Sequence, residues 1–228
     1  MDVELYERGF KFFNRLCKNE ATSFHIMNII ETFYNLPKRH YHNINHVEHC
    51  LKELDSIPGI LISRPILECA IWFHDIVYIP GKRYNEQLSV DLFNTVFGLG
   101  LPKFKYIEFV NRLILSTNIS KALSNSIHTI TESPYLREKK WISDIDLSIL
   151  GQDWKTFCEY DRTIELEFCS SGIPIEAYKK GRREFFDKVL TWDTIYLTEE
   201  FKPRYEKKAR SNIKKWMKNN IVQLYNNG

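Results

Sequence analysis

The chain has 228 residues, 43% of them hydrophobic and 27% charged, and a net charge of only +3. These values exclude intrinsic disorder, which combines low hydrophobicity with high net charge, and they give no electrostatic basis for nucleic-acid binding. Nine glycines against 14% aromatic residues favour a dense helical core over turn-rich β architecture.

Apolar residues recur at helical spacing from the start. "ELYERGFKFFNRLC" and "TSFHIMNIIETFYNL" read as two helices, the second stopped before Pro37. A third runs through "HVEHCLKEL", capped by Asn43 or Asn45 and ended by "SIPG". In "SRPILECAIWFHDIVYIPG" Ser63 is a cap candidate and Pro65 fits a first turn. This element is apolar on nearly every face, which predicts a central helix stopped by Pro80 and Gly81. "NEQLSVDLFNTVFGLG" predicts a helix ending at Gly98, and "KYIEFVNRLILS" another. The polar stretch "TNISKALSNSIHTITESPYLREKK" reads as an irregular surface connection. Helical pattern returns in "WISDIDLSILG", "DWKTFCEYDRTIELEFCSS", "IEAYKKGRREFFDKVLTWDTIY" and "PRYEKKARSNIKKWMKN". With no alternating strands, internal repeat or low-complexity linker, the pattern predicts one all-α domain over 1–228.

The basic runs "YKKGRR" and "YEKKARSNIKKWMKNN" read as solvated helix faces. The five cysteines are odd in number and lack C-x-x-C spacing, so neither a disulfide framework nor a cysteine zinc site is expected. Most read as small buried hydrophobes in a reducing compartment. The N-terminal "MDVELYERGFKFF" carries early acids and no apolar run of signal-peptide length, and no stretch of about 18 apolar residues is present. The expectation is a cytoplasmic protein without membrane contact, in its own cell or in a host.

Four of seven histidines fall in "RHYHNINHVEHC": His40, His42, His46 and His49. With a helix starting near Asn45, His46 lies in its first turn and His42 just before it, so both rings reach one cavity. His74 and Asp75 follow in the apolar "AIWFHDIVY", and Asp144 and Asp146 in "SDIDLSILG", read as the start of another helix. Acids and imidazoles on apolar helices are costly to bury unless paired or bound to a metal. His40 and His49 read as surface residues or supports for the others, and His25 as packing.

These pieces in this order resemble the HD-domain superfamily of metal-dependent phosphohydrolases, and most closely a bacterial-type subgroup of predicted phosphohydrolases. Its pattern runs approximately Y-H-N-x-x-H, F-H-D-x-x-Y, N-E-x-x-S, D-x-D-L-x-I-L-G and later G-R. The chain matches at Tyr41, His42, Asn43 and His46, then at Phe73, His74, Asp75, Tyr78, Asn85, Glu86 and Ser89. The matches continue at Asp144, Asp146, Leu147, Ile149, Leu150, Gly151, Gly181 and Arg182. The resemblance implies a helical bundle with a metal site between core helices, His46, His74, Asp75 and Asp146 being the ligands. Asp146 is preferred to Asp144 because "DL" follows it; Asp144 then orients a ligand or a water. By likeness to cyclic-nucleotide phosphodiesterases, His42 is the general acid. Glu86 either binds a metal-bridging water or caps its helix through Asn85. Arg182, Tyr78 and Asn85 are substrate candidates, and Lys179, Lys180 and Arg183 read as a solvated face.

Two imidazoles and two carboxylates suit Mn²⁺, Fe²⁺, Co²⁺ or Zn²⁺, with Mg²⁺ possible. Such an ion lowers the pKa of a bound water from about 15.7 toward 7. The expected reaction is hydrolysis of a phosphoester or phosphoanhydride in a nucleotide or related small phosphate. The chain departs from the pattern twice. Asn118, Ile119 and Ser120 follow Thr117 where many subgroup members carry a histidine, and His128 nearby does not match. Glu165, Glu167 and Phe168 stand where the pattern has Arg before E-Y. The first departure favours one ion over two and argues against a di-iron oxygenase. Both leave open an alternative, a catalytically decayed regulatory protein that binds metal or nucleotide.

Overall fold

Side-chain caps set the helix starts in the computed structural model, which describes residues 1–58, 63–98, 106–118 and 136–226, with side chains described through residue 220. Asp2 accepts from the Leu5 amide at 2.8 Å and Asn19 from Thr22 at 2.9 Å, opening α1 (Val3–Cys17) and α2 (Glu20–Tyr34). Each cap satisfies an amide that the first helical turn leaves without a partner. Asn43 opens α3 (Ile44–Asp55) by accepting from Asn45 at 2.9 Å, which decides between the two candidate caps.

The chain continues through α4 (Arg64–Phe73), α5 (Asn85–Gly98), α6 (Ile107–Ser116) and α7 (Leu136–Leu147). A 3₁₀ turn over Ser148–Gly151 follows, then α8 (Trp154–Ser170), α9 (Ile175–Leu190) and α10 (Lys202–Asn226). The protein is all-α; among the described residues there is no strand, and no helix is long and apolar enough to cross a membrane.

The chain organises into two compact units, Met1–Glu138 and Lys139–Gly228. In the first, α1 packs on α2, and α4 packs against α3, α5 and α6. Every residue of α4 from Ile66 to Phe73 is buried, as expected of a central helix. Its one acid there, Glu68, is paired with Arg8 at 3.0 Å. Phe13 packs on Trp72, Phe73 and Phe97, and Phe73 meets Phe93 at 5.1 Å. In the second unit α10 lies against the 3₁₀ turn and α9, and α9 against α8. Gly151 permits that approach: a Cβ there would stand 2.5 Å from the Tyr205 Cβ and 2.9 Å from its Cα.

Several expectations are corrected. The helix carrying "AIWF" stops at Phe73, well before Pro80, so His74 and Asp75 lie at its end rather than in its middle. "LREKK" is helical, being the first turn of α7, and Asp144 and Asp146 therefore sit near the end of that helix rather than at its start. His25 is exposed on α2 instead of packed. The rest of the polar connection, with Ile119, Ser120 and His128, lies outside the described residues.

Candidate metal centre

Two segments of the first unit converge, the cap of α3 and the exit from α4. Asn43 holds the first: besides capping α3, its amide donates to the carbonyls of Arg39 (3.2 Å) and His40 (3.0 Å). This fixes His42 before the helix and His46 in its first turn. The second segment leaves α4 at His74, and its polar backbone is satisfied from α5. Ser89 Oγ lies 3.2 Å from both the amide and the carbonyl of Val77, and Asn85 bonds the Ile79 amide (3.0 Å) and carbonyl (3.1 Å). These bonds are the alternative to helical ones, and they allow an apolar sequence to leave the helix.

Three donor atoms meet there. His46 Nε2 and His74 Nε2 are 3.0 Å apart, His74 Nε2 and Asp75 Oδ2 3.1 Å, and His46 Nε2 and Asp75 Oδ2 3.5 Å. Ligand atoms about 2.1 Å from one ion, at right to tetrahedral angles, are separated by about 3.0–3.4 Å. The three atoms thus fit one face of a metal's coordination sphere. His74 Nδ1 lies 2.9 Å from the Ile71 carbonyl, where it donates, so the tautomer leaves Nε2 as the nitrogen able to bind a metal. Burial raises the Asp75 carboxyl, but the charges of His74, His42 and His46 outweigh it and hold the group well below the usual carboxylate range.

His42 lies at the edge of this set, its Nε2 4.0 Å from Asp75 Oδ2. Tyr78 stacks on its ring at 3.6 Å and 19°, and Tyr41 meets it edge-on at 4.9 Å. Asn85 is committed to the backbone of the 79–82 turn. Glu86 accepts from Asn118 Nδ2 at 2.6 Å. His40 is exposed.

The remaining sequence-derived candidates belong to the second unit. Asp146 is half-buried near the end of α7, and its charge helps raise the Tyr160 hydroxyl, behind the larger effect of burial. Arg182 is buried, ion-paired with Asp161 at 2.9 Å and packed on Phe186 and Tyr160 at 4.4 and 4.7 Å. Its Nη2 is buried without a hydrogen-bond partner. Asp144 has a local role. Its carboxylate accepts from the Leu197 amide (2.8 Å), the Thr198 amide (2.8 Å) and the Thr198 hydroxyl (2.6 Å). Burial pushes this carboxyl up to about 6, against the pull of those donors. Asp144→Asn would turn an amide N–H₂ toward the donors of 197–198. It is expected to destabilise the protein by about 1–3 kcal/mol in chemical denaturation, one unsatisfied buried group's worth.

Sequence reasoning missed two residues. Cys50, one helical turn after His46, places its Sγ 3.8 Å from His46 Nε2, so the donor set expected to lack sulfur has a thiol beside it. The i, i+4 spacing from His46 was the available signal. Arg39 donates to the carbonyls of His42 (2.7 Å), Asp75 (2.6 Å) and Ile76 (2.6 Å), and so ties both histidine-bearing segments together. Nothing in "KRHYH" marks it. Lysine lacks the planar fork that reaches three carbonyls. Arg39→Lys is expected to weaken Co²⁺ binding about 10- to 100-fold in a titration followed by visible absorption, the scale of lost outer support for ligands.

Comparison with protein-family models, with curated proteins and with solved structures finds no match to this chain.

Proposed function

We propose that the protein is a metal-dependent phosphohydrolase of the HD-domain type, cleaving a phosphoester or phosphoanhydride in a nucleotide or related small phosphate. The observation that carries this reading is the face formed by His46 Nε2, His74 Nε2 and Asp75 Oδ2, separated by 3.0–3.5 Å. Asp146 enters from the sequence motif alone, as a further carboxylate ligand. A bound divalent ion supplies Lewis acidity toward a phosphoryl oxygen and acidifies a coordinated water.

The chain's own groups supply the rest. His42, held between Tyr78 and Tyr41, protonates the leaving oxygen, a contribution of about 10²- to 10⁴-fold. The stacking fixes the ring plane and leaves Nε2 toward the Asp75 side. Tyr78 offers its outer edge to the substrate, and Arg182 enters from the sequence motif alone, as a phosphate contact. Glu86, already accepting from Asn118, orients a water.

The test is protein stripped of metal, reloaded with Mn²⁺, Fe²⁺, Co²⁺ or Zn²⁺ and assayed against a nucleotide panel. Turnover that persists in both His74→Ala and Asp75→Ala refutes the assignment. The alternative, a regulatory protein that binds metal or nucleotide without turnover, draws its support from the histidine missing after Thr117 and from Glu165 standing where the pattern has Arg. It predicts metal in the wild type and no hydrolysis of any phosphate ester.

A further inference from the structure

We propose that Cys50 is a ligand of this metal centre, so that the site takes a thiophilic divalent ion, zinc or its substitute cobalt, in preference to magnesium or calcium. The inference rests on the metal-site reading above and specifies its cofactor. Cys50 Sγ is buried on the same face of α3 as His46, one turn on, at 3.8 Å from Nε2 and 3.9 Å from Nδ1. One donor atom from each of His46, Cys50 and His74 lies within 4.8 Å of the others. An ion about 2.3 Å from sulfur and about 2.0–2.1 Å from nitrogen, in tetrahedral geometry, places the two ligand atoms about 3.6 Å apart. The distance to Nε2 is within a few tenths of that, while the nearly equal distance to Nδ1 sets the sulfur beside the ring, so that ligation requires Cys50 to rotate about χ1 toward the Nε2 lone pair.

The other buried thiols have different surroundings. Burial dominates at Cys17 and at Cys69, pushing both thiols up, and at Cys69 the further influences are Cys17 and Glu68. Cys50 faces two imidazoles whose ring nitrogens already converge with Asp75 Oδ2. A thiolate added to two nitrogens and a carboxylate shifts selectivity away from hard oxygen-seeking ions. As the sulfur–metal bond forms, the S–H bond breaks and its proton passes to solvent; no electron is transferred.

The experiment uses the full chain, purified without chelator or histidine tag, stripped, and titrated with Co²⁺. A thiolate-to-cobalt charge-transfer band in the near ultraviolet is expected to grow with the visible ligand-field bands. Cys50→Ser is expected to lose the charge-transfer band while still binding cobalt, and to release one proton fewer per ion in weakly buffered solution. Cys69→Ser keeps the band. If Cys50→Ser does not fold, X-ray absorption of the zinc-loaded wild type decides, through a sulfur scatterer at about 2.3 Å. Cobalt bound to the wild type without the band, or a band that survives in Cys50→Ser, overturns the thiolate and leaves the metal centre standing. A wild type that binds no cobalt overturns both.

Discussion

His74→Ala is expected to lower Co²⁺ affinity by more than 100-fold and to bring any phosphohydrolase turnover to background. His74 Nε2 is the atom closest to both other members of the donor face, 3.0 Å from His46 Nε2 and 3.1 Å from Asp75 Oδ2. Its removal leaves two members of that face, one imidazole and one carboxylate 3.5 Å apart. Outer-shell losses cost about 10- to 100-fold in metal affinity, and deletion of a direct ligand exceeds that. Ordinary destabilisation is separated by measuring the metal-free variant. The ring is buried and anchored by Nδ1 to the Ile71 carbonyl, so the apoprotein melts lower as well. The diagnostic quantity is the stabilisation gained on adding metal, which follows RT ln(1 + [L]/Kd). Wild type gains several degrees with saturating Co²⁺ and His74→Ala gains none. Equal gains in both proteins would show that the imidazole is a core residue and nothing more.

The helices were legible because their starts are written locally. Asn43 and Pro65 lie where short-range rules place caps and first turns, and α3 and α4 begin there. The exit from α4 was not legible. "HDIVY" continues the apolar pattern, and what ends the helix is a set of partners far along the chain: Arg39 before it, Asn85 and Ser89 after it. Periodicity reads burial and cannot distinguish a buried helix from a buried loop. The site divided in the same way. His42, His46, His74 and Asp75 were legible because imidazole and carboxylate are conspicuous in apolar surroundings. Cys50 was not, because an isolated cysteine reads as a small hydrophobe until the helix face it shares with His46 is considered. Asp144 resembled a site residue in its D-x-D context. The donors that claim it, Leu197 and Thr198, belong to a distant turn that local pattern does not reveal.

Asp161→Ala carries the largest stability effect expected in the second unit. The Asp161 carboxylate accepts from Arg182 Nε at 2.9 Å and from Trp216 Nε1 at 2.6 Å, with the Tyr178 hydroxyl 3.4 Å away. It joins α8, α9 and α10. Alanine would strand a guanidinium that is only 8% exposed and orphan the indole N–H as well. Breaking a buried ion pair from one side costs about 3–5 kcal/mol, because the remaining charge keeps its desolvation penalty. At about 2–4 °C per kcal/mol for a chain of this size, thermal melting should fall by about 6–20 °C. Asp161→Asn, which keeps one acceptor oxygen, should fall less. Removing both charges, in Asp161→Leu with Arg182→Met, should recover much of the loss, since an apolar pair escapes the penalty. That double variant also separates packing from chemistry. If it melts near the wild-type temperature, Arg182 contributes little net stability, and the ion pair is free to serve binding. A raised KM for the nucleotide substrate at unchanged Co²⁺ affinity would then place the guanidinium on the phosphate. An unchanged KM would make Arg182 the cationic half of a helix-to-helix clasp.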